Sequence, residues 1–185
     1  YDAIPTGIFN TSSSGSIAAL TTTTISKKQF VKLTKEYANK NGGKNFANNA
    51  ETLYDVCTKN KINPVWCASQ AWMEQNWNTP VKNNYWGLAV YNNTNTGTNY
   101  GSFADGVQGY CNNIKTRLNS EKQDKTYTLY WSKKLQKYDS KHFHGKISSV
   151  YDVLCNYAVA DDADSNPAHQ AEHAVNYVDK IIKIT

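Results

Sequence analysis

Residues 63–77 constrain the fold more than any other stretch. Asn63 is a good helix N-cap, and Pro64 follows at the first helical position, where its missing N–H costs nothing. Val65, Trp66, Cys67, Ala68, Ala71, Trp72, Met73 and Trp77 then place apolar side chains nearly all round the helix. Such a helix has no face to offer water, so it is predicted to run through the middle of the molecule. The rest of the chain must wrap it. Its only acidic residue, Glu74, stands near its C-terminal end.

The flanking patterns supply the wrapping. Ser26 caps a predicted helix with Phe30, Leu33 and Tyr37 at i, i+3 and i+7, broken by Gly42-Gly43. A second helix is expected over about 49–59, with Leu53, Val56 and Cys57 on one face. Ser102 caps a fourth, carrying Phe103, Val107, Tyr110, Cys111, Ile114 and Leu118. A fifth element covers about 127–138. A sixth, about 147–160, carries Val150, Tyr151, Leu154, Tyr157 and Ala158, and the last runs from Pro167 to about Lys183. Residues 78–101 break the helical pattern with Asn, Thr, Gly and Tyr. Tyr85 to Tyr91 reads as a short strand before a turn at 92–97, giving a small β-hairpin or an irregular lobe. Residues 1–25 are Ser/Thr-rich without a period and read as a linker or an N-terminal arm, leaving 26–185 as the domain. The expected class is α+β, mostly helical.

Composition narrows the partners. A chain of 185 residues fits one domain and buries roughly 70% of its unfolded surface. Mean hydropathy is −0.67, and no run approaches the ~20 apolar residues that span a bilayer, so membrane insertion is not expected. The start has no signal-peptide pattern, which reads as a mature or excised piece or another route out of the cell. The net charge of +5 comes from 19 Lys and a single Arg, Arg117, among 20 basic residues. Base-edge readers use Arg forks, so no nucleic-acid partner is expected. A diffuse Lys surface suits salt-sensitive attraction to an anionic wall polymer, or is a plainly solvated surface. Cys57, Cys67, Cys111 and Cys155 form no C-x-x-C and have no close His, so no zinc site is expected. They read as buried small hydrophobes, with Cys57 and Cys67 the easiest pair to bridge.

Glu74 is the sharpest chemical signal. Burial disfavours its charged form, and the partial negative charge of a helix C-terminus disfavours it again. Both keep a carboxyl protonated nearer neutrality, as a general acid requires. The plain alternative is a Glu that reaches solvent where the helix emerges. Four of the five Trp lie within 66–86, and Trp77, Tyr85, Trp86, Tyr91 and Tyr100 are interleaved with Asn and Gly. Aromatic faces stack on sugar C–H faces, and amides bond hydroxyl and N-acetyl groups. Trp66 and Trp72 read as core. Trp86 and Tyr91, in a polar stretch, read as cleft.

The run Trp72-Met73-Glu74-Gln75-Asn76-Trp77, then Asn83-Asn84-Tyr85-Trp86-Gly87-Leu88, resembles the glucosaminidase family of bacterial autolysins, flagellar wall hydrolases and phage lysins. The resemblance extends to Ser102-Phe103-Ala104-Asp105-Gly106-Val107 and, more faintly, to Asn156-Tyr157-Ala158-Val159-Ala160-Asp161-Asp162, covering about 26–184. It implies a lysozyme-like fold with a small β-hairpin lobe. It implies Glu74 as catalytic acid and Asn84, Trp86, Tyr91 and Tyr157 in the sugar groove; Tyr100 is a further substrate-side candidate in the lobe. The chain departs from the family at Gln75-Asn76-Trp77-Asn78, where the family has Ser/Thr-Gly-aromatic-Gly. It departs again in having no Asp or Glu between Glu74 and Asp105, where a two-carboxylate glycosidase would place its partner. Asp105 or Asp161 would have to swing in. Otherwise a single Glu works with the substrate's own N-acetyl group, or as in a lytic transglycosylase, with Tyr91 or Tyr100 steadying the developing charge.

His169-Gln170-Ala171-Glu172-His173 fits H-x-x-E-H, but zinc needs a third protein ligand. The twelve residues after His173 hold no His, Cys or Glu, so a surface helix is the better reading; His142 and His144 read as loop. The expectation is a cofactor-free, metal-free peptidoglycan hydrolase acting on glycan strands as an endo-β-N-acetylglucosaminidase. The alternatives are a muramidase or lytic transglycosylase on the same fold, or a non-catalytic cell-wall glycan-binding module. The setting would be extracellular, at the cell wall, or in a phage virion or lysis apparatus, as a monomer or as part of a larger wall-lytic or phage protein.

Overall fold

In a computed structural model, residues 4–11, 13–78, 81–89, 97–119, 121–122, 130–132, 137–139, 145–154, 157 and 167–185 are described. The central helix is α5 (Pro64–Gln75), following α1 (Ile17–Thr21), α2 (Lys27–Lys40), α3 (Lys44–Asn48) and α4 (Ala50–Lys59). Asn63 caps it by accepting from the Val65 amide at 3.0 Å. Every residue from Pro64 to Trp72 is buried, as an all-round apolar pattern requires. The helix stops at Gln75, because Asn76 and Trp77 both take left-handed φ, 53° and 55°.

Three of the surrounding helices begin where short polar side chains satisfy orphan amides. Ser26 accepts from Gln29 at the start of α2. Ser102 accepts from Asp105 at the start of α6 (Phe103–Leu118). Ser149 and Asp152 form a reciprocal capping box on α7 (Val150–Val153). This helix is much shorter than the 147–160 span expected, since Leu154 already leaves helical geometry; Ala158 lies outside the described residues. The long α8 (Pro167–Ile184) packs against α5. The protein is mostly helical.

The β-structure falls elsewhere than expected. No strand forms over 85–89, which are turns. Gly87 and Ala89 have φ of 64° and 57°, and the Asn84 side chain occupies the Leu88 backbone groups that a ladder would need. Short strands appear instead after α6. There β1 (Glu121–Lys122) pairs antiparallel with β4 (Gly145–Lys146), and β2 (Tyr130–Ser132) with β3 (Lys137–Asp139). The element expected over 127–138 thus contains strand.

The N-terminal segment packs as an arm and shares the domain's core. Gly7 and Ile8 donate to the carbonyls of Lys183 and Ile184 at 2.8 and 2.9 Å. Phe9 is buried and stacks on Phe30 with centroids 5.2 Å apart. Cys57, Cys67 and Cys111 are buried free thiols, with Cys57 and Cys111 Sγ atoms 4.0 Å apart. Burial is the leading cause that raises the pKa of Cys57 and of Cys67, which keeps both as inert thiols.

Candidate active site

Glu74 occupies the last turn of α5, half-buried where the helix leaves the core. Its Oε1 accepts a 2.6 Å hydrogen bond from the Tyr177 phenol of α8. Its other oxygen faces the turn at Gly87: a Cβ built there would lie 3.0 Å from Oε2. Burial raises the Glu74 pKa above the ordinary carboxylate value, and the Tyr177 hydrogen bond opposes the rise. The opposition is physical: a donor to the carboxylate favours the charged form, while a poor dielectric disfavours it. Tyr177 itself is only 6% exposed. Burial first, and then the charge of Glu74, push its phenol far up. It therefore stays protonated and serves Glu74 purely as a donor.

The segment 83–88 is built to hold Gly87 at that spot. Asn84 is 4% exposed. Its amide donates to the Leu88 carbonyl at 2.8 Å, and its carbonyl accepts from the Leu88 amide at 2.9 Å. The turn is thereby clamped across Gly87. Trp86 anchors it from below. Its ring is 0% exposed and packs on Tyr110 at 5.4 Å, and its indole N–H donates to the Cys67 carbonyl at 2.9 Å. Tyr85 is buried beside it and accepts from Asn45 at 2.7 Å. On the far side α6 comes so close to the Asn83 carbonyl that only Gly106 fits.

The expected groove is therefore rearranged. Trp86 is not a cleft wall: both faces of its ring are spent on core packing, and this corrects the assignment of a sugar-stacking role. Asn84 is likewise buried, and both ends of its amide bond Leu88 of its own loop, so its observed role is to hold the turn. Trp77, which follows the Glu74 turn directly, also points inward, donating to the Ala68 carbonyl at 2.7 Å and stacking on Phe46 at 4.7 Å. Trp66 and Trp72 are core, as their helical positions suggested. Tyr91 lies outside the described residues. Tyr100 is half-buried, with its amide donating to the Lys82 carbonyl and its carbonyl accepting from the Asn83 side chain.

Tyr157 does come to the site. Its phenol donates to the Trp86 carbonyl at 2.6 Å, next to Gly87, and its ring stacks on Tyr177 at 6.1 Å and 12°. The single Arg of the chain is placed behind it. Arg117 lies 5.0 Å over the Tyr157 ring and bonds the Val153 carbonyl at 3.2 Å, tying α6 to the end of α7. A cation over a phenol face is favourable and fixes the ring plane. Tyr177 was not singled out in the sequence. Its signal was available only as an apolar-face position of α8, where a phenol among Val175, Val178 and Ile181 needs a partner for its hydroxyl.

Asp105 is exposed in the first turn of α6, and Asp161 lies outside the described residues. His173 is exposed on α8, while the side chains of His169 and Glu172 lie outside the described residues, as do His142, His144 and Cys155. No helix among the described residues is long and apolar enough to cross a membrane. In comparison with protein-family models, curated proteins and solved structures, nothing matches this chain.

Proposed function

We propose that this chain is a peptidoglycan hydrolase of lysozyme-like fold with a small β lobe, cutting glycan strands at N-acetylglucosamine with Glu74 as general acid. The observation that carries the reading is the environment of Glu74. One carboxyl, drawn out of water at the end of a buried helix, is held by a phenol on one oxygen and meets a side-chain-free turn on the other. A carboxyl used only for structure gains nothing from a raised pKa, whereas a proton donor to a leaving group does.

The chemistry needs only one carboxyl. The proton on Glu74 passes to the glycosidic oxygen as the C1–O bond breaks, leaving Glu74 as carboxylate. The carbonyl oxygen of the substrate's 2-acetamido group closes on C1 from the other face, giving an oxazolinium ion that keeps the acetamido N–H, with retention overall. Water then opens that ring, and its proton returns to Glu74. This route fits a sequence with no Asp or Glu between Glu74 and Asp105. A muramidase or a lytic transglycosylase would use the same acid, and the latter leaves a 1,6-anhydro end without consuming water. A non-catalytic glycan-binding module would need no protonated carboxyl.

Exposed Lys28, Lys32 and Lys35 recur along one face of α2, with Lys40 and Lys44 beyond. They suit attraction to anionic wall polymers, screened over ~10 Å at 0.1 M salt. The deciding experiment is mass spectrometry of muropeptides released from purified walls, with the first-formed anomer read by NMR. Reducing N-acetylglucosamine ends of retained configuration are expected. Reducing muramic ends or 1,6-anhydro ends would move the assignment to one of the alternatives, and intact walls under a folded protein would leave the binding module.

A further inference from the structure

Glu74 meets two quite different surroundings at its two oxygens. Tyr177 donates to Oε1 at 2.6 Å, and a phenol that stays protonated excludes a proton on that oxygen along the same line. The side-chain-free Gly87 stands before Oε2, and even one methyl group there would come within 3.0 Å. Gly87 is also left-handed, with φ 64°, a conformation that a side chain strains. The turn that puts it there is clamped three times, by Asn84, by the Trp86 indole and by Tyr157.

We propose that the two oxygens have divided tasks: Oε2 carries and delivers the proton across Gly87, while Tyr177 on Oε1 is a positioning residue that fixes the carboxyl and receives its developing charge. This rests on the reading of Glu74 as the acid. As the proton leaves Oε2 for the glycosidic oxygen, negative charge appears on the carboxyl. The Tyr177 hydrogen bond then becomes charge-assisted and stronger. An interaction that strengthens along the reaction lowers the barrier rather than merely tightening substrate binding. Gly87 determines which groups fit, because the leaving oxygen must enter the space that a side chain would fill. Among the described residues, the groups around Glu74 include Tyr177 from α8, Tyr157 after α7 with Arg117 of α6 over its ring, and Gln70 one turn earlier on α5, itself accepting from Tyr110 at 2.7 Å.

Tyr177→Phe tests this, since the ring is kept and only the donor is lost. On wall fragments, kcat is expected to fall about 10–100-fold, the worth of a hydrogen bond to a charged group, with KM within about twofold. The high-pH limb of activity should move upward, and the Glu74 carboxyl, followed by carbon NMR in the free protein, should titrate at higher pH than in the wild type. A purely structural role would lower the melting temperature and leave the kcat of the folded protein in place. Gly87→Ala, checked for folding by circular dichroism, is expected to lose more than tenfold in kcat while Tyr177 stays bonded. Wild-type turnover in folded Gly87→Ala overturns the role of Oε2, and unchanged kcat in folded Tyr177→Phe overturns that of Tyr177. Glu74→Gln separates the levels. If it still lyses walls, the parent reading falls and this one with it; if it is dead while Tyr177→Phe is fully active, only this inference falls.

Discussion

Two sets of aromatic residues invite comparison. Trp77, Tyr85 and Trp86 follow Glu74 within twelve positions, yet all three turn into the core. Tyr157 and Tyr177 lie 83 and 103 positions downstream, yet they meet at Glu74 and at the turn facing it. The near set holds the site up and the far set furnishes it. Indole and phenol groups near an acid in sequence thus say that a rigid frame is being built there, not that a sugar stacks on them. The difference follows from α5. A helix buried on every side sends its immediate continuation back over its own surface, so the next aromatics land on the core. The open end of Glu74 can be covered only by an element that arrives later, here α8.

The largest effect that sharpens this contrast is on stability. Trp86→Ala removes a fully buried ring and an indole hydrogen bond, and should cost about 3–5 kcal/mol, read by denaturant unfolding. Tyr177→Phe, in the far set, should cost far less stability than activity. If Trp86→Ala were near-neutral for folding but weakened glycan binding, Trp86 would belong to the groove after all. Asn84→Ala is the next in size. It leaves the buried Leu88 amide without its partner and the Leu88 carbonyl with only the Thr98 amide, which costs about 1–3 kcal/mol and should loosen Gly87. Lost lysis with unchanged unfolding would instead make Asn84 a substrate ligand.

A smaller effect separates the acid from its frame through pH. Burial raises the native pKa of Glu74 above 4.5, so between that value and the native one the folded chain holds a proton that the unfolded chain has lost. The stability linked to this group is full below that window and falls as pH rises through it. Glu74→Gln cannot ionise and escapes the loss. Its melting temperature relative to wild type should be higher at pH 7 than at pH 4, measured by calorimetry. An equal offset at both pH values would mean that Glu74 is not desolvated. The smallest effect is expected at Asp105, exposed at the start of α6. Asp105→Asn should keep most wall-lytic activity, and a loss as deep as that at Glu74 would establish a second carboxylate.

Much of the frame was legible because it depends on local chemistry. The caps at Ser26, Asn63 and Ser102 act within three residues of themselves, and the all-round apolar pattern of α5 needs no tertiary information. The turn at 83–88 was not legible. Its alternation of Tyr85, Gly87 and Ala89 imitates a strand, and only the Asn84 clamp and the left-handed φ at Gly87 decide against one. Glu74 stood out because one charge on an apolar helix is conspicuous. Tyr177 did not, because an aromatic on the buried face of an amphipathic helix looks like packing until its hydroxyl is seen to find a carboxylate.

The central claim is that Glu74 is the proton donor, and the direct test is Glu74→Gln on purified cell walls. The exchange is nearly isosteric and keeps an acceptor for Tyr177, so circular dichroism should be unchanged. Loss of a general acid should slow release of muropeptides by about 10²–10⁴. A folded Glu74→Gln protein that releases them at close to the wild-type rate would contradict the account.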